Sequence, residues 1–369
     1  MQTASVHTTT QNPTLAQETL QMRARSKHIT NAIVYKLAEI ESPLKTQYWN
    51  AYHCSTEIEQ EGDHIKSRYC NKRWCITCNR IRTAKLINGY GLQISQFKQP
   101  MFVTLSARNV PGENLSERIN EYNAAFNRIR DNLRKYYKTP IIGVRKLEVT
   151  QNETTKEFHP HFHLIIDGSG TAQKLRDLWL EQWGEQADIK AQDIRPAEIG
   201  ATDELFKYVV KLSAKGRDGI KGLDTIFQAL KGRRLVASYG IKMISEDVDP
   251  DQKANIDWKP SGNYVYSWNS GQVDWMKGTG EPLSGYVLDE KTRATVEKIL
   301  HGYIEITAPG ELIEDLDQLK SLNWQKTAYV VDPDELDLIN KMIARDNPVN
   351  YSVNYKKPPD PPKQLSLIL

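Results

Sequence analysis

Hydrophobic positions along this chain change period several times, and each change marks an element. Leu20, Met22, Ile29, Ile33 and Leu37 recur at helical spacing, which predicts a helix over about residues 15–40. Met101-Phe102-Val103-Thr104-Leu105-Ser106 reads as a strand, and Asn114 and Ser116 offer N-caps for a helix running to about Tyr137. Two further strands are expected over residues 141–150 and 162–167, joined by the polar turn from Gln151 to Lys156. Gly168-Ser169-Gly170 then introduces a helix over about 172–183. A strand near 189–194 and a helix over about 202–214 follow. The order β-α-β-β-α-β-α predicts an α+β fold: a split βαβ sandwich of ferredoxin-like or RRM-like topology, with an antiparallel sheet and helices on one face.

The remaining segments frame that unit. Residues 1–14 are polar and read as disordered. Residues 15–98 hold the first helix and a cysteine-rich stretch, and 99–240 hold the sandwich. Residues 241–356 form an acidic region whose Trp258, Tyr264, Tyr266, Trp268 and Trp275 look like core, with helical pieces near 291–300 and 333–345. Residues 357–369 are a proline-rich tail. Of the 369 residues, 39% are hydrophobic and 26% charged, a globular balance. No apolar run is long enough to span a membrane, and the N-terminus lacks a signal-peptide pattern, so a cytoplasmic protein is expected. The net charge of +3 conceals an asymmetry, because residues 240–369 hold 14 Lys and Arg against 21 Asp and Glu. An anionic partner should therefore meet the N-terminal two-thirds.

Three of the eight histidines lie in His159-Pro160-His161-Phe162-His163. On a strand, His161 and His163 point to one side and Phe162 and Leu164 to the other, which makes the two imidazoles a ready pair of metal ligands. His159 is a further candidate, separated by Pro160, which would break the ladder. Glu148, on the preceding strand, would be brought beside the pair by a hairpin. Two imidazoles and a carboxylate suit Mg²⁺ or Mn²⁺ acting as a Lewis acid on phosphate. An isolated H-x-H can equally be two satisfied structural histidines; the third histidine and the carboxylate favour metal.

The segment from Asp203 to Lys211 has helical character. Glu204, Tyr208 and Lys211 share one face. A tyrosine hydroxyl is a poor nucleophile near neutrality, and the Lys211 ammonium would favour its phenolate. Tyrosine is common here, with 17 in the chain, so the position of Tyr208 after the histidine strand is what makes it informative.

Taken in order, Phe102-Val103-Thr104-Leu105, His159-Pro160-His161-Phe162-His163 and Tyr208-Val209-Val210-Lys211 resemble the three motifs of the HUH endonucleases. The likeness is strongest to rolling-circle plasmid replication initiators of the single-tyrosine Y-x-x-K type, and covers about residues 50–240. It implies metal-dependent nicking and joining of single-stranded origin DNA. By that resemblance His161, His163 and Glu148 are ligands, and Tyr208 becomes joined to the 5′ phosphate while the freed 3′-OH primes synthesis. It also implies a role for Glu204 in activating water for a terminating cleavage, and the host helicase and replication machinery as partners. Within this chemistry a transposase is an alternative; a relaxase is disfavoured, since its tyrosine usually precedes the histidines.

All four cysteines, Cys54, Cys70, Cys75 and Cys78, fall in one stretch and can supply four thiolates to one Zn²⁺. Two disulfides are the alternative, disfavoured in the cytoplasm, and His53 and His64 are spare ligands. Lys66, Arg68, Lys72, Arg73, Arg80, Arg82 and Lys85 lie here with no acidic residue among them. Together with Trp74 as a stacking ring, they predict a DNA-binding surface. A second basic stretch runs from Lys207 to Arg234. Either run can be a plain solvated face, and a non-catalytic zinc-containing DNA-binding protein or repressor would keep both. That alternative gives no reason for Glu148, the histidines and Tyr208 to coincide. A metallohydrolase would use the histidines and leave Tyr208 incidental.

Overall fold

The computed structural model describes residues 15–61, 64–198, 200–206, 213–214, 219–244, 265–301 and 304–305. Along them run α1 (Leu15–Glu39), α2 (Lys45–Tyr52), β1 (Glu57–Glu61), β2 (His64–Ser67) and α3 (Ile76–Ile94). Then come β3 (Pro100–Ser106), α4 (Leu115–Lys135), β4 (Gly143–Gln151), β5 (Phe158–Asp167), α5 (Ser169–Trp183), β6 (Asp193–Pro196) and α6 (Ala201–Phe206). The last are β7 (Ser213–Ala214), α7 (Gly219–Leu230), β8 (Val236–Tyr239), β9 (Val265–Asn269), β10 (Asp274–Lys277), α8 (Glu290–Leu300) and β11 (Ile304–Glu305). The expected disorder of residues 1–14, the helical piece at 333–345 and the proline-rich tail lie outside the described residues. No described helix is long and apolar enough to cross a membrane.

The fold is α+β, and its largest sheet has the order β6-β3-β5-β4-β8 with every neighbouring pair antiparallel. Alternation decides what each face does. Phe162, Leu164 and Ile166 of β5 join Val103, Leu105, Leu147 and Val149 in the main core. Helix α4 covers this face through Leu115, Ile119, Tyr122, Phe126, Ile129 and Leu133, spaced three and four apart as one helical stripe requires. Phe162 meets the rings of Tyr122, Phe126 and Trp179 edge-on. Arg145 lies flat over Phe126 and Phe162 and donates to Asn123 Oδ1.

The expectation of helices on one face needs correction. Phe102, Val144 and Ile165, on the opposite face, pack against Ile87, Tyr90 and Ile94 of α3 and Leu205 and Phe206 of α6. Helices therefore flank both sides of the sheet. Other boundaries also differ. Strand β5 starts at Phe158 and runs through Pro160, which sits opposite Val149. Pairing with β3 stops at His161, so Pro160 lies where β5 has one neighbour and its missing N–H disrupts little. Strand β4 starts at Gly143, where a Cβ would stand 2.1 Å from the Ile165 carbonyl oxygen. The strand expected at 189–194 is a 3₁₀ turn, Ile189–Ala191, followed by β6. Asn114 precedes α4 without a side-chain cap bond. The helix expected over 202–214 is described as far as Phe206, while Ser213 and Ala214 pair with β11 as a strand.

A second sheet, ordered β10-β9-β1-β2, joins the cysteine-rich segment to the acidic region. Residues Glu57 to Glu59 of β1 pair with Val265 to Ser267 of β9. Tyr266 and Trp275 are buried there as core, and the Trp275 indole donates to Ser55 O at 2.7 Å. Helix α8 packs along α1.

Trp179 is fully buried among Tyr122, Phe162 and Trp183, and its indole donates to Ser106 O at 2.9 Å. Trp179→Ala should cost about 3–5 kcal/mol of unfolding free energy. A urea denaturation midpoint unchanged from wild type would contradict this packing.

Candidate functional site

Strand β5 lies between β3 and β4, so its upward-facing residues acquire a neighbour on each side. The register sets Ser106, His161 and Glu148 in one row and Thr104, His163 and Lys146 in the next. All six lie on one face, since strand side chains alternate. Ligand atoms of Glu148, His161 and His163 lie within 4.8 Å of one another, so these side chains could hold a metal ion. The two imidazole rings stand 4.7 Å apart and nearly perpendicular.

Hydrogen bonds select which nitrogens are available. His161 Nδ1 is 3.1 Å from the His159 carbonyl oxygen, to which it can only donate, so Nε2 carries the lone pair. That Nε2 is 3.9 Å from Glu148 Oε1. His163 Nδ1 is 3.0 Å from Thr104 Oγ1, a contact that fixes the orientation of the ring. Burial alone would raise the Glu148 pKa, but the Lys146 ammonium and the two imidazoles outweigh it and hold the group at about 2. Glu148 is thus a carboxylate at any ordinary pH. Imidazole nitrogens and a carboxylate oxygen, each with its outer atom anchored, are a donor set that fits a divalent cation.

His159, expected as a further ligand, is outside this group. Its Nδ1 is 2.8 Å from Asn109 Oδ1 and its ring stacks on that of His161. Burial, aided by His161, lowers its pKa to about 4. Its carbonyl, rather than its ring, serves the site. Tyr208 and Lys211 lie outside the described residues. Glu204 sits exposed on α6 with its carboxylate 2.6 Å from Arg195 Nη2. Arg195 lies over the Phe102 ring, and Phe102 in turn touches His163, so α6 belongs to the side of the sheet that carries Glu148, His161 and His163.

The four cysteines converge, and all are buried. Cys78 Sγ is 3.5 Å from Cys54 Sγ and 3.6 Å from Cys70 Sγ, far beyond the ~2.05 Å of a disulfide. Tetrahedral bonds of ~2.3 Å would set sulfurs about 3.8 Å apart, so the cluster fits a four-thiolate metal site. Amides of Cys70, Lys72 and Cys78 donate to Cys54, Cys70 and Cys75 sulfurs. Cys75 thereby caps α3. Lys27 is buried beside the cluster and donates to Cys54 O at 2.6 Å; burial lowers its pKa to about 8 against the pull of the four cysteines. His53 is not in the group, and the His64 ring lies outside the described residues.

The expected DNA-facing set divides. Trp74 is buried against Tyr48 and Phe227, so it is core and no stacking platform. Arg80 is 2% exposed and donates to Ser26 Oγ, facing α1. Arg73 is half-buried and ties the carbonyls of Leu230 and Arg233 to the start of α3. Arg68 is exposed, and Lys66, Lys72, Arg82 and Lys85 are half-buried. Burial lowers Lys72 and Lys85, with Lys231 adding to the first and Arg82 to the second, so part of this surface is a shared basic patch.

Sequence reasoning missed Thr104, Lys146, Asn109 and Arg195. The first two had a readable signal, because Lys146 is two residues before Glu148 and Thr104 is in the strand facing the histidines. Thr104→Val, which keeps the shape and removes the hydroxyl, should weaken Mn²⁺ binding by about tenfold with the fold intact. Calorimetric titration and circular dichroism check the two halves of that expectation.

Residues 63–269 match the replication protein family. A protein rep from Bacillus sp is 32% identical over 237 residues, which are 52% of this chain and 75% of the relative. One from Bacillus amyloliquefaciens is 31% identical, over 52% of this chain and 68% of its own. One from Streptococcus pneumoniae is 28% identical over 204 residues, and this chain spans 54%, about half, of its length. No solved structure matches. The family match covers more than half of the chain and includes Glu148, His161 and His163, and the chain belongs to the replication protein family.

Proposed function

We propose that this protein initiates rolling-circle plasmid replication by nicking and rejoining single-stranded origin DNA, as an HUH-type endonuclease with a tyrosine nucleophile. The observation that carries the proposal is the convergence of Glu148, His161 and His163 on one sheet face in a member of the replication protein family. The strand order, with β3 and β5 central and β4 and β6 outside them, supports a split βαβ reading of this unit.

Mg²⁺ or Mn²⁺, held by these three side chains, would supply Lewis-acid polarisation of the scissile phosphate. The Tyr208 oxygen attacks phosphorus as the bond to the 3′ oxygen breaks, which leaves a 5′-phosphotyrosine and a 3′ oxygen that takes up a proton to become the 3′-hydroxyl. Lys211 favours the phenolate. Glu204 accepts a proton from water in a later, hydrolytic cleavage, for which it must leave Arg195. Lys66, Arg68, Lys72, Arg82 and Lys85 meet the DNA backbone. Host helicase and replication proteins would act on the nicked product. Zn²⁺ at Cys54, Cys70, Cys75 and Cys78 would hold the N-terminal segment together.

Incubation with Mn²⁺ and labelled single-stranded origin DNA should give a denaturant-resistant protein–DNA adduct. Tyr208→Phe should form none, and His163→Ala should lose cleavage while retaining duplex binding. An adduct of equal yield from Tyr208→Phe would sink the tyrosine mechanism. Elemental analysis should find one zinc per chain, and Cys70→Ser should lose it and unfold at markedly lower temperature. Protein free of zinc and indifferent to chelator would refute the four-thiolate assignment.

A further inference from the structure

Lysine is almost never fully buried unless paired, yet the Lys146 side chain is 1% exposed on the metal-facing side of β4. Its partner is Glu148. Lys146 Nζ lies 3.0 Å from Oε2, while Oε1 is the oxygen directed at His161. With its side chain buried and its Nζ bonded to Glu148, Lys146 can act on the site in two ways: through its charge, or through the orientation it gives that carboxylate. With Oε2 held, one oxygen remains to face the histidine nitrogens. A carboxylate free to turn could chelate with both oxygens, which suits the six to eight oxygen ligands of Ca²⁺. An octahedral Mg²⁺ or Mn²⁺ site needs one oxygen and keeps its waters.

We propose that Lys146 is a positioning residue that clamps Glu148 as a one-oxygen ligand, and so biases the site toward a small octahedral divalent cation and against Ca²⁺. The proposal rests on Glu148, His161 and His163 holding such a cation. It makes a counterintuitive claim about sign. A buried positive charge repels an incoming cation, so a lysine acting by charge alone would weaken metal binding, and its removal would tighten it. A lysine acting by orientation does the reverse.

Mn²⁺ and Ca²⁺ are titrated calorimetrically into the full chain as wild type, His161→Ala, Lys146→Met and Lys146→Arg, with circular dichroism confirming each fold. Lys146→Met should bind Mn²⁺ about 10–100-fold more weakly, with a narrowed preference over Ca²⁺. Lys146→Arg keeps the charge but presents a fork able to grip both carboxylate oxygens, so its Mn²⁺ affinity should also fall. Equal or tighter Mn²⁺ binding by Lys146→Met, at unchanged preference, would overturn the proposal. If that variant does not fold, wild-type Mn²⁺ affinity in Lys146→Arg would overturn it alone, since charge would then be all that matters. Mn²⁺ uptake identical in wild type and His161→Ala would instead remove the metal reading on which the proposal stands.

Discussion

Strand register is the constraint on which the site depends. A strand repeats every two residues, so a slip of one position between β4 and β5 would exchange His161 and His163 for Phe162 and Leu164. Imidazoles would then enter the aromatic core under α4 and α5, and a phenyl ring would stand beside Glu148. The apolar face prevents this. Phe162 is enclosed by Tyr122, Phe126 and Trp179 and covered by Arg145. Each such side chain withdrawn from water is worth roughly 1.5–3 kcal/mol. Hydrophobic burial on one side of the sheet thus fixes, at ångström precision, the polar constellation on the other.

The two candidate metal centres solve opposite problems. The cysteine cluster is closed, with all four sulfurs buried and amide donors supporting three of them. Its cysteines lie in the main core among residues of α1, α2 and α3, so a metal held there would be walled in by packing. The Glu148 group has half-buried His163 at one margin and mixed nitrogen and oxygen donors. A metal held by these three side chains would keep positions open for water or substrate, which is what the proposed chemistry calls for.

Much of this was legible in the sequence, for reasons that differ by element. Helices α1 and α8 and strand β3 follow from unbroken periodicity, and the pairing of Glu148 with His161 follows from a short polar turn between two strands. The cysteines converge as their spacing allows. The misread residues share a cause. Helix α3 is packed between α1 on one side and the sheet with α6 on another, so a basic composition says nothing about which positions reach solvent. Arg80 faces Ser26 of α1, and Trp74 fills the gap between Tyr48 and Phe227. Pro160 looks like a ladder breaker in the sequence because the point at which β3 ends cannot be seen from β5 alone. His159 has the right parity, but its ring nitrogen is engaged by Asn109, a residue from another segment.

The pairing of β1 with β9 joins residues about two hundred positions apart. A chain emerging from the ribosome therefore presents the β1–β2 hairpin with its β1 edge unpaired until β9 has been made. Contacts of such long range form late and slowly, and an unpaired strand edge invites association with other chains in the interval. Glu57, Glu59, Gln60 and Glu61 give β1 a charged, poorly adhesive sequence suited to that wait. A product ending at residue 244 would keep every strand that carries Glu148, His161 and His163, yet it would lose Val296 and Ile299 of α8 from the main core and leave the hairpin beside its cysteines unmatched.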